Sequence, residues 1–319
     1  MPGPPRIVVL STGGTIAAQR RPGGAVPVLH AADLLTPDLV PPHLTDVTIS
    51  TRTVCAVDSA AMTDAEHRLL LRAIDEELTD PNVVGVVVTH GTDTLEETAL
   101  VVDLVHADPR PVVFAGAQYS ADSPRADGPT NLAAALACAA DGSNRDRGVL
   151  IAFGGRVLPA RGVAKTSTTA TDAFDSVVDT PERPVLARVD AARPTARVDI
   201  VTLHPDFDAT VVGALLDAGA RGVVLAALGS GNAHPTLTDA VEAATARGAV
   251  VVLSTRVPFG VVVPTYGGGG GAVDLIAAGA ILSPWLRAPQ ARIVLCALLT
   301  RDFDRARIAD FLAGGSSVS

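Results

Sequence analysis

The sequence predicts an α/β fold: a parallel-sheet N-terminal domain with a smaller α/β C-terminal domain. Three observations carry this expectation. Short, continuous apolar runs rich in valine recur along the chain, the pattern of strands buried on both faces. Between them lie stretches of helical length with recognisable start signals. The two kinds of segment alternate, which is the order that builds parallel sheets covered by helices. With 319 residues and 48% hydrophobic content the core is ample, and 3% aromatic content leaves it to Ala, Val and Leu.

Taken in order, strands are expected at residues 7–10, 83–89, 112–115, 149–153, 199–203, 223–227 and 250–254. Thr63-Asp64-Ala65-Glu66 is a capping-box pattern that opens a helix to about Leu78, and residues 128–140 are alanine-rich. Further helices are expected near 208–218, 236–247 and 289–299. Residues 185–198 hold Arg188, Arg193 and Arg197 with little periodicity and mark the domain boundary. The expected division is therefore 1–190 for the N-terminal domain, 191–198 for a linker and 199–319 for the C-terminal domain. Segments 20–24 and 154–173 read as flexible, and the five glycines 267–271 are either a flexible loop or the lining of a site.

A net charge of −9 with no basic block argues against nucleic acid or an anionic membrane surface as partner. No apolar run approaches the ~18 residues of a membrane span, and the first residues show no signal-peptide pattern. Cys55, Cys138 and Cys296 are scattered without metal-like spacing, as expected of reduced thiols in a cytoplasmic protein.

One residue stands out by composition. Of the 25 Lys and Arg residues, Lys165 is the only lysine. Arginine cannot lose its proton in a protein, whereas a lysine amine can act as a proton acceptor. Lys165 is thus either a base or a surface residue retained by chance. It stands in the hydroxyl-rich stretch Lys165-Thr166-Ser167-Thr168-Thr169.

Two further stretches follow directly on strands. Thr12-Gly13-Gly14-Thr15 lacks the Gly-Lys-Ser/Thr of a phosphate loop and the three glycines of a dinucleotide fingerprint. Its glycines permit a tight turn at a strand's carboxyl end, where the hydroxyls of Thr12 and Thr15 either serve chemistry or merely bond turn amides. Thr89-His90-Gly91-Thr92-Asp93-Thr94 precedes a helix expected to start with a capping box formed by Thr94 and Glu97. That leaves Thr92 and Asp93 in the loop, with Asp93 suited to hold an ammonium group. His90 either acts as a base or turns into packing. Asp58 and Ser59 form a third polar pair, of ordinary turn composition when taken alone.

These residues together resemble the bacterial-type L-asparaginase family of asparaginase/glutaminase amidohydrolases. TGGTIA at 12–17 and HGTDTLEET at 90–98 are the two specific signatures. They are supported by Asp58-Ser59, ADGPTNL at 126–132, AKTSTT at 164–169, GSGN at 229–232 and STRVP at 254–258. The resemblance implies hydrolysis of the side-chain amide of L-asparagine to aspartate and ammonia, with no metal or organic cofactor. It implies that Thr15 is the nucleophile and that Thr92, Asp93 and Lys165 form a second triad, with Lys165 accepting the Thr92 proton. Ser59, with Asp58 beside it, would bind the α-carboxylate, and Asp93 the α-ammonium. Amides near Gly91–Thr92 and at Ala117 would stabilise the oxyanion. Asn232 would come from a neighbouring subunit of a homodimer or homotetramer.

The chain departs from the family pattern in two places. The loop after Thr15 carries Ala25 and Val26 where members usually have a tyrosine, and Ala60 follows Ser59 where some have glutamine. The only tyrosines are Tyr119 and Tyr266, and Tyr266, beside the glycine run, is the expected helper. Otherwise water alone activates Thr15. Glutaminase or a broader amidase is the second enzymatic reading, since one substrate methylene is worth only ~1–3 kcal/mol. An amidase fold acting as an amino-acid amide sensor is the non-enzymatic one.

Overall fold

A computed structural model describes residues 3–36, 39–178, 182–190 and 192–314. Along the chain run β1 (Arg6–Gly13), β2 (Ala18–Arg21), β3 (Gly24–Pro27), β4 (Thr48–Val57), α1 (Asp64–Glu77), β5 (Val83–Thr89), α2 (Leu95–Asp103), β6 (Val112–Ala115) and α3 (Gly128–Ala140). They are followed by β7 (Val149–Phe153), β8 (Arg156–Pro159), β9 (Val163–Lys165) and β10 (Phe174–Ser176). The remainder holds β11 (Val198–Thr202), α4 (Thr210–Asp217), β12 (Gly222–Ala227), α5 (Thr236–Ala246), β13 (Val250–Thr255), α6 (Ala272–Ala277), β14 (Ile281–Leu282), α7 (Ala288–Thr300) and α8 (Arg305–Ala313).

The chain divides into two compact units, Met1–Ser176 and Val177–Ser319. The break lies ahead of the 191–198 segment, whose first residue is outside the described ones. Within the second unit, Arg301 donates to the Ala187 carbonyl, and the Ala196 amide donates to Thr300 Oγ1 at 2.9 Å.

In the first unit the sheet order is β4-β1-β5-β6-β7-β8, parallel except for the β7–β8 pair. Successive residues of β1 face opposite sides of the sheet. Val8 and Leu10 join Leu70 and Ile74 of α1 and Leu95 and Ala99 of α2. Ile7 and Val9 join Leu132, Ala135 and Leu136 of α3. This two-sided burial is why the strand has no polar alternation. The chain leaves β1 toward β4 on one side and leaves β5 toward β6 on the other. The strand order therefore reverses between β1 and β5, the point where open α/β sheets bind ligands at their carboxyl ends.

The second unit is a smaller parallel sheet, β11-β12-β13-β14. One of its cores is built from Val223, Leu225, Val251 and Leu253 with Leu237 and Val241 of α5 and Leu275 of α6.

Three local features differ from the sequence reading. Residues 20–24 belong to a β2–β3 hairpin whose turn is Pro22–Gly23, with Gly23 at φ 100°. Lys165 ends strand β9 rather than lying in a loop, and it pairs with Phe174 of β10. Thr94 precedes α2, but its hydroxyl donates to the Ser59 carbonyl at 2.8 Å and no capping box forms. The Thr63–Glu66 box does form.

Candidate active site

The glycine pair of the opening motif sits at the switch point. Gly13 (φ 107°) and Gly14 (φ 76°) turn the chain out of β1 into a short 3-10 turn, Thr15–Ala17. A Cβ on Gly14 would lie 2.2 Å from Gly91 Cα, and one on Gly13 would lie 2.4 Å from the Val57 carbonyl oxygen. Only glycine lets the ends of β1, β4 and β5 meet this closely, and Thr15 follows directly on the glycine that meets Gly91. Thr15 is half-buried, and its hydroxyl has no partner among the described residues. Thr12 is structural: its buried hydroxyl donates to the Thr89 carbonyl at 2.9 Å.

His90 faces the core. Its Nδ1–H donates to the Gly91 carbonyl at 2.7 Å and its ring lies 6.0 Å from that of Phe114. Burial pulls its pKa down to about 4, so the ring is neutral and turned into packing.

The next turn gathers the second set of groups. Ser59 Oγ accepts from the Asp93 amide at 3.2 Å, and a Cβ on Gly91 would come within 2.6 Å of that oxygen. Gly91 therefore leaves room for Ser59 to reach the site. Asp58 is exposed and caps its own turn, accepting from the Ala60 amide at 3.1 Å.

Lys165 reaches across from β9. Its Nζ lies 2.9 Å from Thr92 Oγ1 and 2.8 Å from Asp93 Oδ1, so hydroxyl, carboxylate and amine converge. Thr92 is buried, while the Asp93 side chain is 61% exposed. The arrangement pairs a hydroxyl with an amine able to exchange a proton and leaves a carboxylate facing solvent.

Glu96 was not foreseen. Its carboxylate accepts from the Lys165 amide and is only 8% exposed. Burial raises its pKa to about 7, against the opposing pull of that hydrogen bond. The signal for it was helical spacing, because Glu96 shares a face of α2 with the buried Ala99 and Leu100.

Ala117 is fully buried just past β6. Its amide and that of Thr92 have no acceptor among the described residues. In the second unit, Asn232 closes the tight turn that follows β12, exchanging backbone bonds with Leu228, and its Oδ1 lies 3.4 Å from the Ala272 amide. Tyr266 is 61% exposed. Among the described residues no group of three or more His, Cys, Asp or Glu side chains is placed to hold a metal ion.

Two family models match the chain: "Asparaginase, N-terminal" over residues 6–199 and "Glutaminase/Asparaginase C-terminal domain" over 197–312. A probable L-asparaginase of Deinococcus radiodurans is 36% identical, over 95% of this chain and 96% of that one. L-asparaginase 2 of Escherichia coli is 32% identical, over 95% and 91%. The crystal structure of a probable cytoplasmic L-asparaginase from Campylobacter jejuni matches with a TM-score of 0.81 at 30% identity, covering 97% of this chain and 99% of that one. With both halves of the chain matched and the strand-end threonines, carboxylate and lysine gathered at one switch point, the chain belongs to the asparaginase/glutaminase family of amidohydrolases.

Proposed function

We propose that the protein is an L-asparaginase that cleaves the side-chain amide of L-asparagine through a threonine acyl-enzyme. The observation that carries the reading is the convergence of Lys165 Nζ on Thr92 Oγ1 and Asp93 Oδ1, 2.9 and 2.8 Å away, at the strand end where Gly14, the residue before Thr15, packs on Gly91.

Asp93 Oδ2 is left for the substrate's α-ammonium, since Lys165 engages Oδ1. The Ser59 hydroxyl, which accepts from the Asp93 amide, keeps its own proton to donate to the α-carboxylate. Thr15 Oγ1 attacks the amide carbon, and the unbonded amides of Thr92 and Ala117 receive the oxyanion. The C–N bond then breaks as the leaving nitrogen takes up the proton that Thr15 gave up, ammonia leaves, and a threonine ester remains. Lys165 accepts the Thr92 proton; Thr92 and Lys165 then activate the water that releases aspartate. Activation of Thr15, for which its own loop carries no tyrosine, falls to Tyr266 or to water alone.

Association of copies into a homodimer or homotetramer, with Asn232 completing a neighbour's site, is part of this proposal. It is supported by the exposed apolar side chains Val257, Phe259, Val261 and Val263 on one segment of the second unit. A cytoplasmic location is also proposed; it accords with three free cysteines and with no described helix long and apolar enough to cross a membrane.

Ammonia release measured with L-asparagine, L-glutamine and their D-isomers tests the function. Release from L-asparagine is expected, and its relative rate on glutamine decides between the two amide substrates. No release from any of the four would overturn the enzymatic reading in favour of a sensor.

A further inference from the structure

The motif Ala126-Asp127-Gly128-Pro129-Thr130-Asn131-Leu132 has no part in the chemistry above, yet its polar groups point at the site's framework. Asp127 stands just ahead of α3 but does not cap it with its side chain. Its carboxylate turns back instead: both oxygens accept from the Gln118 amide at 3.0 Å, and Oδ1 also accepts from the Tyr119 amide at 2.9 Å. Asn131, one turn on, donates to Asp127 at 3.2 Å and to the Gly116 carbonyl at 3.0 Å. Asp127 and Asn131 together therefore grip the loop that follows β6 at Gly116, Gln118 and Tyr119.

That loop touches each segment bearing a reacting group. A Cβ on Gly116 would lie 3.3 Å from Thr92 Cγ2, so its backbone packs on Thr92. Gln118 Nε2 donates to the Thr168 carbonyl at 2.7 Å, and the Tyr119 hydroxyl to the Thr169 carbonyl at 3.3 Å, on the chain leaving Lys165. Ala121 donates to the Ala18 carbonyl at 3.0 Å, and Asp122 accepts from the Arg20 amide at 2.8 Å, on the chain leaving Thr15. Gly128 meets the same region directly, since a Cβ there would come within 2.8 Å of Ile16 Cγ1, next to Thr15.

We propose that Asp127 is a positioning residue: through the amides of Gln118 and Tyr119 it sets the 116–122 loop, which holds the Thr15 turn, Thr92 and the Lys165 strand in mutual register. The inference rests on the function proposed above for its kinetic readout. Asp127 touches none of the groups assigned to the substrate's carboxylate or ammonium, so its loss acts on kcat rather than on KM. A misplacement of about 1 Å at reacting groups costs roughly 10²-fold in rate.

The test compares the wild-type enzyme with D127A, with Q118A/Y119F and with the triple variant, by steady-state ammonia release from L-asparagine and by amide hydrogen exchange. D127A is expected to lose roughly 100-fold in kcat with little change in KM. Q118A/Y119F, which keeps Asp127 but cuts the two bonds to the Lys165 segment, lowers kcat in the same way, and the triple variant falls short of the sum of the two losses because they act through one loop. Exchange becomes faster in D127A at residues 116–122 and 166–170. Unchanged kcat in a folded D127A, strictly additive losses, or unchanged exchange at those residues would overturn the proposal. If D127A does not fold, Q118A/Y119F decides alone, with unchanged kcat as the overturning result. If the wild-type protein releases no ammonia, the proposed function fails, and hydrogen exchange still decides the role of Asp127.

Discussion

Lys165 Nζ stands 2.9 Å from Thr92 Oγ1, from a strand more than seventy residues further along the chain. The contact exists because the Glu96 carboxylate fastens the Lys165 amide to the first turn of α2, just past Thr92. The only lysine in the chain therefore lies against a buried threonine hydroxyl and an exposed carboxylate.

This pairing predicts that K165R and K165M fold but lose turnover. Arginine keeps the charge and cannot act as a base, so kcat should fall by about 10²–10⁴-fold in both variants. Circular dichroism checks the fold and ammonia release the rate; an active K165R enzyme would refute the proton-acceptor role.

Two threonines of one motif should separate cleanly. T15A is expected to abolish turnover with little change in stability, because its hydroxyl has no partner among the described residues. T12A removes the bond to the Thr89 carbonyl and should cost about 1 kcal/mol, read as a lowered denaturation midpoint.

The buried pair His90 and Glu96 predicts an unusual pH dependence. His90 titrates near 4 in the fold, against an ordinary value of 6.5, so the unfolded chain takes up its proton first and stability falls as pH drops from 6.5 to 4. Glu96 titrates near 7, against 4.5, so the fold retains a proton that the unfolded chain releases, and stability falls as pH rises from 4.5 to 7. The two effects oppose each other across the shared window. E96Q removes the second, and its stability relative to wild type should rise by up to about 3 kcal/mol between pH 4.5 and pH 7.5. Urea midpoints at the two pH values give the difference.

Gly14→Ala would drive a methyl to 2.2 Å from the Gly91 backbone at a φ of 76°. A loss of more than about 4 kcal/mol is expected from combined strain and clash, measured by urea denaturation.

Tyr266→Phe tests the helper. Its phenol is exposed and bonds to none of the described residues, so stability should not change. kcat should fall by roughly tenfold or more if the phenol assists proton transfer. An unchanged kcat leaves water as the activator of Thr15.

The valine runs and the alternation of strands with helices made the α/β class readable from the sequence. β5, β6, β7 and α3 lie where those patterns put them, because a strand buried on both faces has to be continuously apolar. Residue chemistry made the strand-end threonines, Asp93 and Lys165 candidates: two glycines before a hydroxyl, a carboxylate ahead of a helix, and a single lysine among arginines, of which the structure brings Thr92, Asp93 and Lys165 together. Tertiary structure decided what depends on partners distant in sequence. Thr94 gives its hydroxyl to Ser59 instead of its own helix, His90 turns into the core, Glu96 holds the Lys165 strand, and Asp127 grips a backbone loop nine residues before it. Local pattern records which face of an element is apolar. Which distant amide or carbonyl a buried polar group satisfies is settled only when the strands align and water is excluded.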